Sequence, residues 1–153
     1  MNILLVEPDY RSKFPPLGLM RLSAYHKKKG DYVSFVRGRD ERAQGVTWHK
    51  IYVSSLFTWE LKRTVETIKF YSKAVNRAED ILVGGVGATL FPEYIRENVT
   101  CTVVTGQLNR PNLFGPKTPA IASLTPDYTL LDSVDYEYFP KDAYFARITE
   151  GCI

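Results

Sequence analysis

Cysteine and histidine are scarce in this chain, with two of each in 153 residues. Cys101 and Cys152 make no disulfide framework. His49 has no cysteine, histidine or carboxylate neighbour at metal-ligand spacing. His26 sits among lysines and reads as a solvated helix residue. A dominant charge is also lacking: the formal net charge is +3, too weak to argue for nucleic-acid binding, so no nucleic-acid partner is expected. The densest basic run, Lys27-Lys28-Lys29, stands just before Gly30, where cations complement the negative end of a helix dipole. Long hydrophobic runs are missing. The longest aliphatic stretch, Ile3-Leu4-Leu5-Val6, is far too short to span a bilayer, so no membrane partner is expected. No basic segment and cleavage site follow Met1, so no signal peptide is expected and the cytoplasm is the expected compartment. There is no internal repeat and no low-complexity tract.

What is present is an ordinary globular composition, 44% hydrophobic and 24% charged, in a chain long enough to bury a real core. Residues 1–106 alternate between strand and helix patterns. Strands are predicted at residues 2–7, 32–37, 51–55, 81–83 and 101–104, and helices at 17–29, 58–75 and 91–98. Pro15-Pro16 and Gly30 bracket the first helix. Thr58 reads as the cap of the second, whose apolar face is Leu61, Val65, Ile68 and Val75. Pro92 is tolerated in the first turn of the third. Residues 38–49 carry no clear period and predict an irregular or very short helical crossover. Short apolar strands joined by helices are buried on both faces and therefore parallel. The expected fold is α/β: a doubly wound, mostly parallel five-stranded sheet, flavodoxin-like or Rossmann-like, in the order 2-1-3-4-5.

After Gly106 the character changes. Five of the nine prolines fall between Pro111 and Pro140, and residues 127–142 hold five acids against Lys141 alone. Residues 107–142 therefore read as an extended linker that lies over the domain or leads to the next one. Residues 143–149 become strand-like again and run into Glu150-Gly151-Cys152.

In open α/β sheets ligands bind beyond the carboxyl ends of the strands. That rule selects residues 8–16, 54–58 and 84–89. The first loop holds Asp9, Tyr10, Arg11 and Lys13 after Glu7. A phosphoacceptor receiver would need an aspartate ending strand three, where only Ser54 and Ser55 stand. Those hydroxyls either bind a ligand edge or satisfy the turn's own backbone. Trp59 and Phe57 read as core or domain-interface residues. Gly84-Gly85-Val86-Gly87-Ala88-Thr89 allows close backbone approach. It follows strand four, lacks a P-loop ending, and is equally readable as a tight turn. Cys101 reads as a small buried hydrophobe.

Taken in order, several pieces resemble the N-terminal cobalamin-binding-like domain of radical S-adenosylmethionine (SAM) proteins. They are Asn2-Ile3-Leu4-Leu5-Val6 with Pro15-Pro16-Leu17-Gly18-Leu19, then Val53-Ser54-Ser55-Leu56-Phe57-Thr58. Leu82-Val83-Gly84-Gly85 with Ala88-Thr89 and Pro92-Glu93 follows, then Pro126-Asp127-Tyr128, and finally residues 144–152. The resemblance implies that Ser54, Leu56, Gly84 and Gly85 line a pocket for the cofactor's nucleotide tail. It implies that Cys152 is the first thiolate of a C-x-x-x-C-x-x-C [4Fe–4S] motif. Residues 1–106 would be the Rossmann-type domain, 107–142 the linker, and 143–153 the first strand of a truncated SAM barrel, the partner of this domain. The cluster and SAM belong to the full-length parent, in which reductive cleavage of SAM yields a hydrogen-abstracting radical; this fragment is not catalytic by itself. The family's Asp-x-His-x-x-Gly after strand one is replaced by Glu7-Pro8-Asp9-Tyr10-Arg11. Two states stay open: cobalamin held without a protein histidine, or the fold kept without the cofactor. Replacing Gly85 by a bulky residue is expected to abolish cofactor binding and leave the fold intact. The alternative of a different class is a stand-alone flavodoxin-like nucleotide-binding or interaction module.

Overall fold

The computed structural model describes residues 1–139 and 143–145. Five strands form one parallel sheet in the order β2-β1-β3-β4-β5. They are β1 (Asn2–Glu7), β2 (Tyr32–Arg37), β3 (Lys50–Ser54), β4 (Ile81–Gly84) and β5 (Thr102–Val103). The expected architecture and strand order are those observed, with β5 shorter than the apolar run predicted. Central β1 explains why its sequence is continuously apolar. Ile3, Leu4, Leu5 and Val6 are all fully buried, and the pleat sends alternate side chains to opposite faces. Burying residues of this size stabilises the fold by about 2 kcal/mol each.

Leu4 and Val6, with Ile51 and Val53 of β3, meet Leu61, Val65 and Ile68 of α3 (Leu61–Tyr71). Ala88 of α4 (Val86–Leu90) and Ile95 of α5 (Pro92–Asn98) complete that face. Ile3, Leu5, Phe35 and Tyr52 point to the other face, against Leu19, Met20 and Leu22 of α1 (Leu17–Lys28). The crossover after β2 holds one short helix, α2 (Glu41–Gln44), capped by the Asp40 side chain on Ala43 N–H.

Three expectations are corrected here. Thr58 does not cap a helix: it opens a 3-10 turn, Thr58–Glu60, and α3 starts at Leu61 without a side-chain cap. The helix stops at Tyr71, and a second 3-10 turn, Ser72–Ala74, follows. Of residues 84–89, read as a loop because of their glycines, all from Val86 onward belong to α4, where Gly87 and Ala88 are buried and a Cβ on Gly87 would clash with Ser55.

Residues 107–139 lie over the domain. Ile121 and Leu130 are buried in the same cluster as Ile3 and Leu5, with Leu108, Phe114, Leu124, Leu131 and Val134 packed around them. Two 3-10 turns, Ile121–Ser123 and Tyr128–Ser133, supply the regular geometry, which explains why no helical period was visible. Asp127 fastens this segment to α1. Its Oδ2 accepts from Ser23 Oγ and from Lys27 Nζ, each at 2.6 Å. Cys152 and the expected strand beyond Phe145 lie outside the described residues.

Candidate functional site

The carboxyl ends of β1, β3 and β4 converge, as the ligand-crevice rule requires. The register pairs Ser54 with Gly84, so the candidates Ser54, Gly84 and Gly85 are brought together, with half-buried Leu56 next to them. Their polar groups are engaged by the protein itself. Ser54 Oγ shares a 2.9 Å hydrogen bond with the hydroxyl of Tyr10, and Tyr10 is only 2% exposed. Burial, with the Glu7 charge nearby, pushes the Tyr10 phenol far above its ordinary pKa, so it stays neutral.

The glycines answer to Ser55. Gly85 has φ +111°, and a Cβ there would stand 2.5 Å from the Ser55 carbonyl oxygen. A Cβ on Gly87 would stand 2.5 Å from Ser55 Oγ. Gly87 N–H donates to Ser55 O at 2.8 Å, and Ser55 N–H donates to Gly84 O at 2.7 Å. Only glycine permits this approach of two backbones. The expectation that a bulky residue at Gly85 spares the fold is therefore overturned: the clash is with backbone. Ser55 Oγ is buried without a hydrogen-bond partner among the described residues, and Gly87 packs directly against it. Ser54 Oγ and the inner side of Gly85 are thus engaged within the chain, while Gly85 itself is exposed and Ser54, Leu56 and Gly84 are half-buried.

Sequence reasoning missed the polar cluster at the end of β1. Glu7 is 1% exposed. Its Oε2 accepts from Arg37 Nε at 3.0 Å and from the Tyr138 hydroxyl. The Arg37 guanidinium also donates to the Tyr10 carbonyl and lies 3.5 Å from the centre of the Tyr136 ring. Burial raises the Glu7 pKa, although Tyr138 and Arg37 both oppose the rise. Glu7 is the last residue of the apolar run of β1, and that position was the available signal.

Outside the crevice, Asp9, Arg39, Trp59, Lys62, Arg63 and Glu66 line a shallow groove of about 420 Å³. Trp59 is 76% exposed and stacks on Phe57 at 4.8 Å, so it is not a core residue of this domain. Arg63 is held by Asp9 and Glu60, which leaves the groove near neutrality.

At the opposite end of the sheet His26 is buried, not solvated, at 2% exposure. Its Nδ1 lies 2.7 Å from Asp31 Oδ2 and its Nε2 lies 3.1 Å from the Tyr52 hydroxyl. Burial lowers the His26 pKa despite Asp31. The neutral ring therefore donates from Nδ1 and accepts at Nε2. His49 Nδ1 accepts from Asn2 N–H. Cys101 is half-buried against the core, and burial pushes its thiol up to about 11. Among the described residues no group of three or more histidine, cysteine or acidic side chains could hold a metal, and no helix is long and apolar enough to cross a membrane. Compared with known proteins, the chain matches no family model and no curated protein.

Proposed function

We propose that this chain is a non-catalytic accessory module of flavodoxin-like architecture, serving a radical SAM enzyme and holding no cofactor of its own. The observation that carries the second half is the use the chain itself makes of the candidate residues. Tyr10 is bonded to Ser54, and Gly85 and Gly87 are pressed onto Ser55, so the hydroxyl and the glycines that would receive a nucleotide tail already serve contacts within the chain. The first half is supported by the ordered set of segments from Asn2 to Cys152 and by the 2-1-3-4-5 sheet that carries the first of them.

Two measurements test the reading. Mixing the 153-residue chain with hydroxocobalamin and desalting should leave it colourless; retained colour in stoichiometric amount refutes the cofactor-free reading. A longer reading frame that supplies two further cysteines at the family spacing should, after anaerobic reconstitution, show the visible absorbance of a [4Fe–4S] cluster. Cys152→Ala should remove it. A frame without those cysteines refutes the enzyme-class reading.

One observation favours a second reading, a stand-alone interaction module. Val86, Leu90, Phe91 and Tyr94 are exposed along α4 and α5, and α4 contacts the turn that bears Trp59. Self-association of the isolated chain that Trp59→Ala and Leu90→Ala abolish would support it.

A further inference from the structure

Glu7 is covered from one side by residues 133–139. Their exposure alternates, with 134, 136 and 138 turned inward and 133, 135, 137 and 139 outward. Most of what holds this strap is polar. Tyr136 OH donates to Ser12 O at 2.8 Å and accepts from Ser12 N–H at 3.1 Å. The Tyr136 ring lies under Arg37. Tyr138 OH donates to Glu7, and Phe139 N–H donates to Lys13 O at 2.8 Å. Only Tyr138 is deeply buried; Phe139 is 64% exposed.

Both flanks are anchored independently. Before the strap, the turn Tyr128–Ser133 buries Leu130 against the sheet. After it, Phe145 N–H donates to Tyr128 OH at 2.6 Å. Lifting residues 133–139 breaks the polar contacts above, frees Val134 from the cluster of Ile3 and Leu5 and uncovers the Tyr138 ring, and leaves the sheet and both anchors in place.

We propose that residues 133–139 are a latch over the carboxyl end of β1 whose closure is set by the charge on Glu7: tight over the neutral acid, loosened over the carboxylate. Closing the strap strips water from Glu7. A neutral carboxyl loses little by this; a carboxylate loses its solvation. Arg37 is paired with Glu7 across β1 and β2 and opposes that loss, the more strongly as water leaves. Tyr138 donates to the carboxylate only when the strap is closed and offsets part of the loss. Among the described residues the further ionisable group facing Glu7 is neutral Tyr10, while Asp40 and Asp135 adjoin Arg37 in the neighbouring groove. The raised Glu7 pKa agrees with burial as the larger influence. A carboxyl group with a higher pKa in the closed state favours closure at low pH and withdraws that favour as pH rises through the closed-state value. An open latch gives water and solutes access to Glu7 and Arg37 at the end of the sheet where α/β folds bind ligands.

Hydrogen exchange at the Phe139 amide tests this, with rates corrected for intrinsic exchange and the Leu5 amide of β1 as the reference for global opening. Between pH 4.5, the ordinary glutamate value, and about 8, Phe139 protection should fall several-fold while Leu5 protection does not follow it. In Glu7→Gln the fall should vanish. In Tyr138→Phe, which keeps the cover but removes the bond that favours the carboxylate, protection should be lower and fall more steeply. Flat protection in the parent protein, a fall tracked by Leu5, the same slope in Glu7→Gln, or an unchanged slope in Tyr138→Phe each overturns the proposal. If Glu7→Gln does not fold, the Tyr138→Phe slope decides alone.

Discussion

Two buried clusters at opposite ends of the sheet use the same chemical kit, an acid, a nitrogen base and a tyrosine, with opposite electrostatic results. At the amino end Asp31 divides its partners. Oδ1 meets the Met1 ammonium and Oδ2 meets His26. Burial would raise its pKa, but these hydrogen bonds outweigh it, and Asp31 is lowered to about 2. At the carboxyl end Glu7 places both Arg37 and Tyr138 on one oxygen, and burial wins. The difference teaches that pairing alone does not decide whether a buried acid is comfortable; the water removed has to be weighed against the partners gained.

The largest effect should come from the closed crevice beside Glu7. Gly85→Val places a branched side chain against the Ser55 carbonyl at positive φ, and should destabilise the fold by about 3 kcal/mol or more. A urea titration reads this directly. A near-neutral result would mean that the carboxyl end is looser than its contacts imply. Next, His26→Ala at the amino end removes two buried hydrogen-bond partners and leaves a cavity, and should cost about 2–3 kcal/mol. The same variant sharpens the comparison through pH. A lowered His26 pKa means that protonation opposes folding, so parent stability should fall as pH drops below 6.5, the ordinary histidine value. Depressed Asp31 adds a further loss from its ordinary 3.8 toward about 2. The first of these losses should be absent from His26→Ala, as denaturant midpoints across pH would reveal.

Glu7→Gln should be milder, about 1–2 kcal/mol near neutral pH, because the amide keeps the shape and sheds the desolvated charge but leaves the Arg37 guanidinium without its carboxylate. A loss as large as that of His26→Ala would erase the contrast between the two ends. Trp59→Ala should be smallest, below about 0.5 kcal/mol in chemical denaturation, since the ring is mostly in water.

The sheet was legible because its strands are short, largely apolar runs: parallel pairing follows from burying such runs on both faces, and the order 2-1-3-4-5 from the flavodoxin-like pattern of doubly wound folds. The site was legible only as a location. Ser54 and Gly84 could be placed together from their positions at the ends of neighbouring strands. That Gly85 serves Ser55 could not, because a close backbone approach leaves the same glycine signature as a ligand loop. His26 was misread from its lysine neighbours, although Leu19, Leu22, Ser23 and His26 share one helical stripe that is buried throughout. Tyr138 lies 131 residues from Glu7, and no local pattern connects a tyrosine in an acidic, irregular segment to the end of the first strand.

The cover of the second sheet face has a consequence in time. Ile3 and Leu5 leave the ribosome well before Ile121 and Leu130, which help to bury them and are made more than a hundred residues later. Until then α1 shields that face only in part, and the nascent chain carries an uncovered apolar strip while the intervening residues are made. A holdase should therefore bind the growing chain and let go when residues 107–139 emerge.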